Sequence, residues 1–516
     1  MYIRNLLWQC HIVVKYALGP LAETCQMKRF PLIAMCIAAA AVFASGCASN
    51  PATGGKNVVL GSMAGEKKTV QKNHQEIIKT LGLYDDQAMQ EYVNVVGRRV
   101  AEVSDLPNEE FKFFVVDDES INAFTTGCCN VYVNRGLLVN INSEAQLAGV
   151  LGHEIGHVTA RHPARRQTQG MAASLGAMAA AILTGSNAIG QLANIGAEAW
   201  MQGYGRENEM EADRLGMKYM TKAGYDPAQI TSVFNMFQAG EKFERQRAAA
   251  EGREPRLYHG VFSSHPSPDE RAVQAAKGAA NIKDAPPGGW LVRHDEYLTM
   301  INGIAYGTSK AQGVVRDNRF YHADMGITVA FPRGWTIDNG RESLIAFTPK
   351  HDAMMKVFVD RKPDKQAPRE FLLSKLQGNS VFKGEPFTST EGNEGYAIVT
   401  RNGSPIDNGP VRWAVVYRGQ SAFITVGASR SALNGVPEID GLIMSVAETL
   451  RGLKPSEFPL AEPYRIKVMK ATDKTNLSEY AADMPEPAFK KETLELINAM
   501  YPNKKPAAGQ LFKVVE

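Results

Sequence analysis

The stretch GVLGHEIGHVTARH, Gly149–His162, sets two histidines four residues apart, with a glutamate directly after the first. Asn142-Ser143 ahead of it can cap a helix, Ser143 and Gln146 fit a capping box, and Leu147, Val150, Leu151, Ile155 and Val158 recur at helical spacing. On that helix His153 and His157 lie one turn apart and about 40° around the axis, both able to reach one ion. Glu154 points about 100° away from His153, suited to hold a water beside the ion and not the ion itself. Gly152 and Gly156 cost helix propensity, about 1 kcal/mol each, so something should offset them, such as the close approach of a second element. Two readings stay open: half of a metal site, or two exposed histidines on a solvated helix.

A metal site needs a third protein ligand. His162 falls about 180° from His153 on a continuous helix and does not qualify. In YGRENEMEADRLG, Tyr204–Gly216, Glu209 and Asp213 are four apart and share a helical face. One of the two carboxylates can bind an ion while the other accepts a hydrogen bond from a ligand histidine and fixes its tautomer. Glu207 and Glu211 point elsewhere and are expected to be solvated. The alternative is a charged surface helix, the common fate of such runs.

The first 46 residues read as an address and not as part of the fold. From Met27, the expected true start, MKRFPLIAMCIAAAAVFASGC passes from Lys28-Arg29 through an apolar run to small residues and Cys47, a secretory signal layout. ASGC resembles a bacterial lipobox, which implies cleavage before Cys47 and lipidation of that cysteine. Ala48-Ser49 follow it in place of an Asp, which by the same resemblance implies sorting to the outer membrane. The leader holds four basic residues and one acidic, a surplus equal to the +3 of the whole chain. The remainder is therefore neutral, and nucleic-acid binding has no compositional support. Of six cysteines, only Cys128 and Cys129 lie beyond Cys47. Their adjacency excludes a C-x-x-C metal clamp and leaves open a vicinal disulfide or pairing between molecules.

The expected fold class is α+β. Residues 47–285 read as a mainly helical unit with one strand, NVYVN (Asn130–Asn134), and residues 286–319 as a linker signalled by DAPPGGW. Residues 320–455 carry short alternating runs typical of a β-rich α+β unit, and 460–516 reads strand, two short helices, strand. The charged stretch Glu241–Arg256 is either a movable lid or a solvated helix end. MAASLGAMAAAIL, Met171–Leu183, is too short to span a bilayer.

HEIGH followed by ENEMEAD resembles the M48 family of zinc metalloendopeptidases, in its bacterial periplasmic lipoprotein branch. INAFTTGCCNVYVNRGLL, AGYDP, SSHPSPDER and the stretch Gly303–Trp335 resemble further parts of that branch. The resemblance implies a zincin-type domain with one zinc ion on His153, His157 and Glu209, Glu154 as general base toward a zinc-activated water, and Asp213 behind a ligand histidine. For His265 it implies either an oxyanion-stabilising role or a fourth-ligand position that shuts the site, with Arg271 in support. Asn130, Val131, Tyr132 and Val133 become the short exposed edge strand on which an extended peptide pairs. Gly127-Cys128-Cys129 stands where the family usually has Pro-Gly-Gly. The C-terminal unit resembles a degenerate LysM module. Its Asp473-Lys474-Thr475, in place of Gly-Asp-Thr, argues against peptidoglycan binding and for packing on the preceding domain. The function so implied is an endopeptidase that clears misfolded or misassembled envelope proteins from the periplasmic face of the outer membrane. It would be held there by lipid on Cys47, with the outer-membrane assembly machinery as candidate partner. The alternative is a chaperone or assembly factor that acts by binding, its zinc site latent.

Overall fold

A computed structural model describes residues 47–52, 54, 56–59, 62–171, 204–255, 268–376, 381–430, 437–484 and 488–516. The leader, most of the apolar run from Met171, and His265 lie outside these. No described helix is long and apolar enough to cross a membrane. The chain mixes helix and sheet throughout.

The first part runs β1 (Cys47–Ser49), β2 (Lys56–Val58), α1 (Met63–Leu81), α2 (Gln87–Ala101), β3 (Lys112–Val116), β4 (Ala123–Thr125), β5 (Asn130–Asn134) and α3 (Arg135–Asn140). It continues through α4 (Glu144–Thr159), α5 (Arg206–Lys222), α6 (Ala228–Glu251), α7 (Pro268–Asn281) and α8 (His294–Ile301). On α2, Met89, Val93, Val96 and Val100 repeat at helical spacing and are buried. They pack with Phe113 and Val115 of β3 and with Leu147, Leu151 and Ile155 of α4 in one core. The strands order β3-β5-β4, with β5 parallel to β3 and antiparallel to β4. Cys128 and Cys129, just ahead of β5, are buried and joined by a disulfide across a cis peptide bond.

Residues 286–319 do not form the linker expected of them. The Pro-Gly signal marks a turn, with Gly288 and Gly289 at φ 93° and 85°. Leu291 then exchanges backbone hydrogen bonds with Gly224 (3.0 Å) and Asp226 (3.1 Å). Tyr297, Leu298 and Ile301 of α8 are fully buried in the first core, and the Tyr297 hydroxyl donates to the Leu138 carbonyl at 2.6 Å.

The β-rich part follows as β6 (Ala305–Tyr306), β7 (Val314–Arg316), β8 (Arg319–His322), β9 (Ile327–Ala330), β10 (Thr336–Asn339), β11 (Ser343–Phe347) and β12 (Ala353–Arg361). Then come α9 (Pro368–Lys375), β13 (Val381–Thr388), β14 (Glu394–Thr400), β15 (Val411–Arg418), β16 (Ser421–Ser429) and α10 (Pro437–Glu448). Seven of these strands form an antiparallel sheet, β10-β11-β12-β16-β15-β14-β13. Alternation along β15 sends Ala414 and Val416 toward α10, and Val415 and Tyr417 toward α9.

The last unit, β18 (Tyr464–Lys470), α11 (Leu477–Ala481), α12 (Lys490–Ile497) and β19 (Leu511–Val515), follows the two-residue strand β17 (Arg451–Gly452). Its core is continuous with that of the first part and not with the β-rich part before it. Phe243 of α6 meets the rings of Phe489 and Tyr501, and the Tyr501 hydroxyl donates to Gln246 at 2.7 Å. Residues 241–251 are thus the pinned end of a 24-residue helix closed by left-handed Gly252, and not a lid.

Lys513 is fully buried, and its Nζ donates to the carbonyls of Val139 (2.6 Å) and Ile141 (3.0 Å). Burial pushes its pKa well below the ordinary 10.5. The unfolded chain therefore holds this proton to higher pH than the folded one, so the fold is favoured as pH rises between the two values. The stability difference between wild type and Lys513→Met should move toward wild type by up to about 1.4 kcal/mol per pH unit in that window. Urea melts of both proteins from pH 6 to 10 check it, and parallel stability curves would refute it.

Candidate metal centre

The site rests on the seam between α4 and α5. Ser143 caps α4 by accepting from the Gln146 N–H at 3.2 Å, while the Gln146 side chain reaches back to the Asn142 N–H at 2.6 Å. Buried Glu144 receives the hydroxyls of Tyr92 (2.8 Å) and Tyr225 (2.7 Å) and the guanidinium of Arg293 (2.9 Å), which fixes the first turn. Further along, the helices touch backbone to backbone. A Cβ on Gly152 would stand 2.9 Å from the Gly216 carbonyl, one on Gly156 2.9 Å from that of Ala212, and one on Gly216 2.7 Å from the His153 nitrogen. That contact supplies the offset the two helix glycines require.

Side chains flanking the seam converge. The Nε2 atoms of His153 and His157 are 3.0 Å apart, Glu209 Oε2 is 3.6 Å from His153, and Glu209 Oε1 is 3.4 Å from His157. Donors bound tetrahedrally to zinc at 2.0–2.1 Å stand about 3.3 Å from one another, so all three separations suit that ion. His157 and Glu209 are fully buried and His153 nearly so. The two imidazoles and one carboxylate could hold a zinc ion with a position left for water or substrate.

Each donor is held from behind. His153 Nδ1 donates to Asp213 Oδ1 at 2.8 Å. Arg271 donates to both Asp213 oxygens at 2.7 Å and reaches Glu209 Oε2 at 2.8 Å. Burial would raise the Asp213 pKa, but the hydrogen bonds from Arg271 and His153 outweigh it and hold the carboxyl at about 2. Burial likewise opposes the Arg271 charge, and Asp213 and Glu209 overcome it. Arg271, expected to support His265 or the oxyanion, is here paired with Asp213 and with the candidate ligand Glu209.

His157 is held differently. Its Nδ1 lies 2.8 Å from His162 Nδ1, and its ring stacks on Tyr204 with centroids 4.0 Å apart. Burial drives its pKa well down, which keeps the imidazole neutral as a ligand must be. Neither contact was legible in sequence. Arg161 takes a left-handed turn (φ 58°) after α4, so His162 opens a new helical segment and folds back onto His157. The continuous helix behind the 180° estimate does not exist. Glu211 is also misplaced by the sequence reading: half-buried, it sits 3.1 Å from His162 Nε2, whereas Glu207 is exposed as expected.

The exposed edge strand is also not where it was expected. Asn130, Val131, Tyr132 and Val133 belong to β5, the buried middle strand of the sheet. The edge nearest the metal cluster is β4. Asn134 donates to Asn122 at 2.9 Å, and antiparallel pairing alternates, so Ala123 and Thr125 turn their N–H and C=O groups away from β5. Ala123 also lines a cavity of about 50 Å³ with His153, Glu154, Val150, Ile230, Val233 and Phe234.

Residues 87–279 match peptidase family M48. The chain is 29% identical over 283 residues to the putative beta-barrel assembly-enhancing protease of Vibrio cholerae, covering 49% of this chain and 53% of that protein. It is 29% identical over 210 residues to the beta-barrel assembly-enhancing protease of Escherichia coli K12, covering 39% and 41%. The mitochondrial metalloendopeptidase OMA1 of Arabidopsis thaliana is 28% identical over 201 residues, covering 39% and 38%. The chain spans about half the length of these curated relatives or less. Residues 87–279 thus carry the similarity to peptidase family M48, and the relatives that align with this chain are named as proteases and a metalloendopeptidase.

Proposed function

We propose that the protein is a zinc-dependent endopeptidase of the bacterial cell envelope that cuts misfolded or misassembled envelope proteins. The observation that carries this is the convergence of His153, His157 and Glu209 at 3.0–3.6 Å beside Glu154, a cavity and a strand edge. Zinc held there supplies Lewis acidity to a water and to the scissile carbonyl. Glu154 takes a proton from the attacking water and passes it to the leaving amine. An extended peptide adds to β4 through the backbone groups of Ala123 and Thr125, a mode that reads main chain more than sequence and suits unfolded segments. The mainly apolar cavity accepts an apolar side chain next to the cut bond. Arg271 and Asp213 position ligands. The envelope setting is supported by the lipobox at Cys47 and by the names of the bacterial relatives.

Pairing on β4 gives an expected result of its own. N-methylating the substrate amide that faces Ala123 should lower kcat/KM about tenfold, the worth of one lost hydrogen bond. Kinetics on a matched pair of peptides read it, and equal rates would remove β4 from the account.

The direct test uses the mature chain from Ala48, with casein and an unfolded outer-membrane protein as substrates. Wild type and His265→Ala are each assayed with and without a zinc chelator. Cleavage by wild type that the chelator stops supports the open enzyme. Cleavage by His265→Ala alone supports a site held shut by His265. Stoichiometric zinc with no cleavage by either hands the role to a binding or assembly factor.

A further inference from the structure

Behind His157 runs a line of hydrogen bonds that the proposed chemistry does not use. We propose that His162, Glu211 and Asn50 form a positioning line that locks the His157 ring for metal binding and ties metal retention to the segment next to Cys47. This rests on the zinc reading of the site.

The proton inventory carries it. His157 Nε2 faces Glu209 and His153, so as a ligand that nitrogen presents its lone pair and the ring proton sits on Nδ1. That Nδ1–H donates across 2.8 Å to His162 Nδ1, which leaves the His162 proton on Nε2. His162 Nε2–H in turn donates to Glu211 Oε2 at 3.1 Å. The other Glu211 oxygen accepts from the Asn50 side-chain amide at 3.3 Å. Asn50 is buried, and its amide orientation is set because its Oδ1 accepts from the Ala52 N–H at 2.9 Å. Its carbonyl accepts from the Gly54 N–H at 2.8 Å, closing the turn. With His157 Nε2 turned to a metal, this assignment keeps every bond of the line. The two ligand histidines thus differ. His153 is oriented directly by Asp213 on the helix that carries Glu209, whereas His157 is oriented through a second imidazole that ends on the N-terminal segment.

The test measures zinc dissociation constants by competition with a chromophoric chelator, and the visible spectrum of the cobalt-substituted mature chain. His162→Phe keeps the bulk but cannot accept, and should weaken zinc roughly 10- to 100-fold and alter the cobalt bands. Glu211→Ala should do the same, while Glu211→Gln, which still accepts from His162, should restore most of the affinity. Asn50→Ala should weaken zinc about three- to tenfold. Glu211 is partly exposed, so its Ala/Gln pair decides the matter if His162→Phe does not fold. Affinities within about twofold of wild type and unchanged cobalt bands for His162→Phe and Glu211→Ala overturn the proposal. Unchanged affinity in Asn50→Ala alone overturns the N-terminal link. A wild type that binds no zinc overturns the zinc reading itself, which indifferent variants of a zinc-binding wild type would not.

Discussion

Glu154→Gln should leave a folded chain that binds zinc as wild type does and cuts peptides about 100- to 10,000-fold more slowly. Glu154 stands apart from the three converging donors, one residue beyond His153 in the wall of the cavity. It is buried, so its surroundings are protein and its reach is set by α4. Glutamine keeps the shape and can still hydrogen-bond a water, but it cannot take the proton that water must lose. Kinetics with a fluorogenic peptide and zinc stoichiometry, measured on one preparation, separate the roles. Wild-type rates would remove Glu154 from the chemistry, and loss of zinc along with activity would make it a ligand.

Arg271→Ala should destabilise the fold by about 3–5 kcal/mol, the usual result of stripping the counter-charge from a buried ion pair. Arg271 is 6% exposed and satisfies two oxygens of Asp213 and one of Glu209. Without it two carboxylates remain in a site with little water. Zinc should return part of the loss, because a cation among the ligands offsets the Glu209 charge and its binding free energy adds to the folded state. Arg271→Lys keeps the charge without the planar fork and should fall between the two. Urea unfolding with and without zinc reads all three. A cost below about 1 kcal/mol for the alanine variant would mean the carboxylates find other partners or take up protons.

What sequence revealed and what it hid divide along the range of the forces involved. That His153 and His157 share one helical face, and Glu209 and Asp213 another, was legible because helical spacing is local: a residue four along faces the same way wherever the helix ends up. The choice between Glu209 and Asp213 needed the family resemblance. Whether a strand is an edge depends on its neighbours, and β4, at three residues, was too short to announce itself. NVYVN therefore read as the edge when it is the middle of the sheet. The position of His162, though not its exclusion from the ligand set, was misjudged because a helix break on a non-glycine residue, Arg161, leaves no mark in composition. The Pro-Gly run at 286–289 was a true turn signal, but only burial of Tyr297 shows that the chain stays in the same core afterwards.

Lys513 is synthesised 374 residues after Val139, yet its Nζ seats the carbonyls that lead into the helix bearing both histidines. Ribosomal order therefore runs opposite to structural dependence: the cleft is written early and completed late. A polypeptide halted in translation or export before β19 lacks Phe512, Val514 and Val515, which are buried in the same core as Leu138 and Ile141. In such a chain the Val139 and Ile141 carbonyls, just ahead of the helix that carries both histidines, lack the partner that Lys513 supplies.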